Sequence, residues 1–96
     1  MERDPQKLLV ALGSVLREKR KAQGLSSTAL AKRLGMNSPA HLTRIERGEC
    51  EPKVFTLYCI AQELGYPSVN APINEALRAI GEPELPTASE TLMADE

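Results

Sequence analysis

The side chains able to do chemistry in this 96-residue chain gather between Ser26 and Lys53. In the run PAHLTRIER, residues 39–47, Leu42 and Ile45 stand three apart on one helical face. Ala40, His41, Thr43, Arg44 and Arg47 are left to point elsewhere. An outward arginine such as Arg44 can donate to O6 and N7 of one guanine, which discriminates between bases by ~1–3 kcal/mol. His41 can donate to a base or a phosphate, and the methyl groups of Ala40 and Thr43 can meet the methyl of thymine. Ser26, Ser27, Lys32, Arg47 and Lys53 supply hydroxyls and cations suited to phosphate oxygens. Such contacts set affinity and register rather than sequence. Each of these residues also has a plainer reading as a solvated surface side chain. No enzymatic constellation competes: there is no carboxylate pair, no nucleophile beside a base, no phosphate-cradling glycine loop and no metal cluster. The single histidine, His41, lies in this same run. The chain is expected to work without cofactor or metal, and not as an enzyme.

Five helices are expected to position these groups. Asp4-Pro5 can cap and open a first helix, whose apolar stripe runs through Leu8, Leu12, Val15, Leu16 and Ala22 to a stop at Gly24. Arg17, Lys19, Arg20 and Lys21 crowd its last turns, where cations suit the helix dipole. Ser26 caps a second helix that buries Ala29, Leu30, Ala31 and Leu34 and ends at Gly35. Met36-Asn37 forms the turn. Ser38-Pro39 opens a third helix, with Leu42 and Ile45 inward and Gly48 as terminator. A fourth helix spans about 54–64, with Val54, Leu57, Ile60, Ala61 and Leu64 inward. Tyr66-Pro67-Ser68 reads as a turn, and a fifth helix covers about 71–80 through Ile73, Ala76, Leu77 and Ile80. Residues 81–96, GEPELPTASETLMADE, are rich in proline and acids with little to bury, which predicts disorder.

Composition agrees with one small domain of about residues 4–80 and an acidic tail at 81–96. Hydrophobic residues make up 42% and charged residues 26%, the balance of a globular chain. Two tyrosines and one phenylalanine are too few aromatics for a packed β-sandwich, so the expected class is all-α. No apolar run approaches the ~20 residues of a membrane span, and the charged start MERDPQKLLVALG lacks a leader's cleavage site. A cytoplasmic location is expected, with Cys50 and Cys59 as free thiols. The net charge of −1 conceals an asymmetry. Eleven Lys/Arg face six acids before Val54, and only Arg78 faces seven acids after it. A basic half suits a polyanion.

These elements together resemble the Cro and phage-repressor family of XRE-type helix-turn-helix regulators. The resemblance covers Leu12 to Gly65 and rests on Lys19-Arg20-Lys21, Gly24-Leu25-Ser26, Leu30-Ala31 and Leu34-Gly35. Arg44-Ile45-Glu46-Arg47-Gly48 and Pro52 follow in register, then Leu57, Ile60-Ala61 and Leu64-Gly65. It implies a compact, lambda-repressor-like bundle of five helices, with the motif at 26–47 and the third helix in the DNA major groove. On that footing Ala40, His41, Thr43 and Arg44 are the candidate base readers. The phosphate contacts are Ser26, Ser27, Lys32, Arg47 and Lys53. The resemblance also implies that Arg20 and Glu46 form a partly buried ion pair between the first and third helices.

Two departures stand out. Ser27 occupies the position of the family's phosphate-holding glutamine and is shorter. Six residues separate Gly35 from Leu42 where the usual pattern has five, with the extra residue assigned to Met36-Asn37. On the fourth helix, Phe55 and Cys59 replace residues that are polar in the family. With Tyr58, Ile73, Leu77 and Ile80 they are expected to form a homodimer interface. The alternative is that the fifth helix folds back and covers them within one chain.

The expected function is that of a sequence-specific, double-stranded-DNA-binding transcriptional regulator, a repressor dimer on a palindromic operator. One rival is an antitoxin that also binds its operon and holds a toxin through residues 81–96. Another is a protein-binding adaptor that keeps the fold without binding DNA.

Overall fold

Residues 4–86, which the computed structural model describes, form five helices: α1 (Pro5–Ala22), α2 (Ser27–Arg33), α3 (Ala40–Glu46), α4 (Val54–Glu63) and α5 (Asn70–Ala79). Local chemistry fixes their ends. The Asp4 carboxylate accepts from the Gln6 N–H at 3.1 Å, and Pro5 follows it as the first helical residue. The Ser26 hydroxyl accepts from the Ala29 N–H at 3.0 Å. Ser38 accepts from the Ala40 N–H at only 3.4 Å, so α3 begins on a weaker cap, at Ala40 rather than Pro39. Every helix runs out into a glycine with φ between 71° and 83°. After the first, second and fourth, the residue beyond that glycine is Leu25, Met36 or Tyr66. Its N–H returns to the helix, at Arg20, Ala31 and Ala61 respectively. Each such residue also lays an apolar side chain in or against the core.

The core sits around α1, which packs against both α3 and α5, while α2 packs on α3. Leu16, Leu30, Leu42, Ile45, Ile60 and Leu64 are fully buried, and each contributes about 1.5–3 kcal/mol through the apolar surface it withdraws from water. The contact of α1 with α3 is closer than side chains allow. A Cβ on Gly13 would meet the Ile45 carbonyl at 2.6 Å and the Glu46 carbonyl closer still. At the two ends of α1, glutamines finish other helices. Gln6 donates to the Gly48 carbonyl at 2.7 Å, and Gln23 to the Leu64 carbonyl at 2.6 Å.

Two sequence expectations are corrected. Ala22 is exposed, because Arg20 and not Ala22 supplies the buried face in the last turns of α1. Val54 is 80% exposed. As the first residue of α4 its Cβ tilts back toward the N-terminus, beyond the core that Leu57 and Ile60 reach. Tyr66 begins the expected turn between α4 and α5, and its side chain is buried in the core. The predicted tail also has a held beginning. Arg78 grips the Glu84 carboxylate at 2.9 and 3.1 Å, and the Asn74 amide both accepts from the Leu85 N–H and donates to its carbonyl. The rest of the predicted tail, from residue 87, lies outside the described residues.

Two stability predictions follow from this packing. Gly13→Ala forces α1 and α3 apart and lowers stability by about 1–3 kcal/mol, read as a drop in Tm of roughly 4–8 °C per kcal/mol for a domain of this size. The second concerns Tyr66, whose hydroxyl is buried without a hydrogen-bond partner. Burial, and then the charge of Glu75, pushes its phenol up to about 12. The fold therefore favours the neutral phenol. That contribution is intact below the unfolded value of about 10, and it is lost as pH rises from there toward about 12. Tyr66→Phe deletes an unsatisfied polar group. It is expected to leave Tm at pH 7 unchanged or higher, and to flatten the loss of Tm that the parent protein shows across the alkaline range.

Candidate nucleic-acid interface

The third helix is too short to be stable alone, so its orientation comes from what it leans on. Leu42 and Ile45 enter the core, and Glu46 is buried beside them at 8% exposure. At 100° per residue the opposite side of α3 carries Ala40, Arg44 and Arg47, all exposed. Exposed His41 lies on one flank of that face. Half-buried Thr43 lies on the other, beside Glu46.

The ion pair that the family resemblance implies is present. Arg20 reaches from α1 to Glu46 on α3 with two parallel bonds, Nε to Oε2 at 2.8 Å and Nη2 to Oε1 at 3.0 Å. Its remaining Nη1 donates to the Leu25 carbonyl at 2.7 Å, just ahead of α2. One guanidinium thus ties α1, the entry to α2 and the end of α3. The hydrogen bond to Glu46 raises the arginine pKa above its ordinary value, overcoming the opposing effect of burial. Both carboxylate oxygens of Glu46 are occupied by this pairing.

Around the pair opens a cleft of about 290 Å³ lined by Arg17, Arg20, Ser27, Thr43, Glu46 and Arg47. It brings together three residues expected to touch DNA: Ser27, Thr43 and Arg47. Ser26 is exposed at the cap of α2, Lys32 is exposed in the last turn of α2, and Lys53 is exposed at the cap of α4. These three, and His41, Arg44 and Ala40, do not line the cleft. Arg17 does, and the sequence reading assigns it only to the helix dipole. The available signal was its position three residues before Arg20, on the same side of α1.

The residues expected at a dimer interface divide into two groups. Phe55 is 73% exposed and Tyr58 45%, their rings stacked with centroids 6.2 Å apart. Cys59, Ile73, Leu77 and Ile80 are half-buried. Ile73 packs on the core of its own chain, beside fully buried Pro72 and Ala76. The alternative of a folded-back fifth helix therefore applies to one face of α5, and Phe55 is not covered by it.

The sequence model of the helix-turn-helix family HTH_3 matches residues 16–69. Among solved structures, the clp gene regulator ClgR of Corynebacterium glutamicum is 30% identical over 92% of this chain and 84% of its own, with a TM-score of 0.70. A second crystal structure of that regulator is 34% identical over 74% of this chain and 88% of its own, at 0.68. An HTH_3 family transcriptional regulator from Vibrio cholerae is 30% identical over 79% of this chain but only 39% of its own, at 0.63. No curated protein sequence gives a significant match.

The buried pair sets a test of its own. Removing one partner, as in Arg20→Ala or Glu46→Ala, strands the other charge and costs about 3–5 kcal/mol in urea unfolding. The joint replacement Arg20→Met with Glu46→Leu removes both charges and recovers most of that loss. Equal losses in the single and joint variants would mean that the pair is not buried in solution.

Proposed function

The chain belongs to the helix-turn-helix family and is a DNA-binding transcriptional regulator, and from that premise we propose that it is a repressor holding a palindromic operator as a homodimer. The observation that carries this reading is the free outer face of α3. Ala40, Arg44 and Arg47 are exposed there, on a helix whose inner side is held by the buried pair.

In this reading α3 lies in the major groove, with Ala40, His41, Thr43 and Arg44 toward the base edges. Arg44 supplies the bidentate guanine contact. Ser26, Ser27, Lys32, Arg47 and Lys53 meet phosphates and fix the register. Two copies joined through Phe55, Tyr58 and Cys59 of α4 and the outer side of α5 would set half-sites ~34–36 Å apart, one turn of DNA. The exposed, stacked Phe55–Tyr58 pair supports that choice, since solvent gains nothing from a large aromatic surface left open. A repressor acts here by occupancy: a dimer seated on a promoter excludes the polymerase.

Gel-shift titration on duplexes from the protein's own promoter region tests the reading. Arg44→Ala is expected to weaken operator binding by ~1–3 kcal/mol, roughly five- to 150-fold, with little change on scrambled duplex. Parent protein that binds operator and scrambled duplex equally would sink the claim of sequence-specific repression.

A further inference from the structure

The cleft beside α3 has a chemistry that its individual residues do not announce. Its lining holds four cationic or hydroxyl side chains besides the Arg20–Glu46 pair: Arg17, Ser27, Thr43 and Arg47. Glu46 is the only acid in that lining, and both of its oxygens already accept from Arg20. Neither Arg17 nor Arg47 belongs to an ion pair among the described residues. The cleft therefore offers two free guanidinium groups and two hydroxyls, and no carboxylate left to repel an anion. An occupant that only accepts hydrogen bonds and carries negative charge satisfies all of it.

We propose that Arg17 of α1 and Arg47 at the C-cap of α3 clamp one phosphodiester of the DNA backbone in this cleft, with Ser27 as an accessory donor. The inference rests on the reading that α3 docks on duplex DNA, and it adds α1 to the elements that touch it. It also accounts for Ser27. A side chain too short to hold a phosphate alone is sufficient where an arginine from the neighbouring helix carries the charge. The spacing of the two arginines is set by rigid parts, because α1 and α3 are locked together at Gly13 and through Arg20–Glu46. Fixed helices hold the two backbone positions, so the ordering cost falls on the two arginine side chains alone. Its contribution is to affinity and register, equal for every base sequence.

The test combines salt dependence with a scan of neutralised phosphates, using the full chain and a promoter duplex. Arg17→Ala, at an exposed position, is expected to keep the parent Tm. It should weaken binding to operator and to scrambled duplex by the same factor. The joint variant Arg17→Ala with Arg47→Ala, which leaves the phosphate without a cation, should reduce the slope of log K against log salt by ~0.9 per half-site. Arg17→Lys keeps the charge and is expected to bind both duplexes like the parent. Methylphosphonate substitution at one particular phosphate of each half-site should weaken the parent protein. Arg17→Ala and Arg47→Ala should each become less sensitive at that same phosphate, in either half-site, and at no other. Unchanged affinity in Arg17→Ala overturns the clamp while leaving the DNA-docking reading intact, as does loss of sensitivity at different phosphates of the half-site in the two variants. Parent protein that binds neither duplex overturns both.

Discussion

The arrangement depends on one guanidinium. Arg20 is buried at 8% exposure, and its three hydrogen bonds reach Glu46 on α3 and the Leu25 carbonyl before α2. A buried ion pair is a weak source of net stability, because taking two charges from water nearly cancels their attraction. Its value here is directional. A hydrophobic contact between α1 and α3 would tolerate a sliding or rolling helix, whereas a planar fork meeting a planar carboxylate fixes both distance and angle. The same fork closes on Leu25, so the entry to α2 is set relative to the end of α3. For a helix of seven residues, external constraints of this kind substitute for the length that would otherwise hold it.

Steric fit supplies the second constraint. Gln6, Gly13 and Arg20 fall seven apart on α1, two turns each, and all three address the far end of α3. Gln6 closes the carbonyl of Gly48, bare Gly13 lets the backbones touch, and Arg20 holds Glu46. Gly48 repeats the logic from the other side. Its φ is 75°, and a Cβ there would meet the Val10 backbone at 2.7 Å. The contact that aims the exposed face of α3 is thus built from polar residues and missing side chains.

That composition explains what was and was not legible in the sequence. Helix existence was legible, because each helix ends on a glycine that allows the left-handed turn, and because Leu16, Leu30, Leu42, Ile45 and Ile60 sit at apolar spacings that the core uses. The α1–α3 seam was not, since apolar periodicity is blind to a stripe of glutamine, glycine and arginine. Only the family resemblance pointed to one of its three members. Val54 fitted the spacing of α4 and is still exposed, because spacing defines a face and not how far along the helix the core extends. The contacts at the start of the tail were not legible for a related reason. Its hold on α5 comes from the Asn74 amide and the Arg78–Glu84 pair, and a composition rich in proline and acids hides both. At the candidate interface, the exposed side chains of α3 followed from the pattern. The place of Arg17 in the cleft needed three helices in their final arrangement.

The central position of α1 has a consequence for how the chain divides its work. Besides the α3 seam and the cleft, α1 carries the packing of α5. The basic residues precede Val54, and the acids dominate beyond it. A local excess of positive charge on the side that carries α3 orients a protein in the field of a polyanion before any contact forms. The net charge of −1 is thus no argument against a DNA-binding surface, because what a duplex meets is the local field of the side that approaches it.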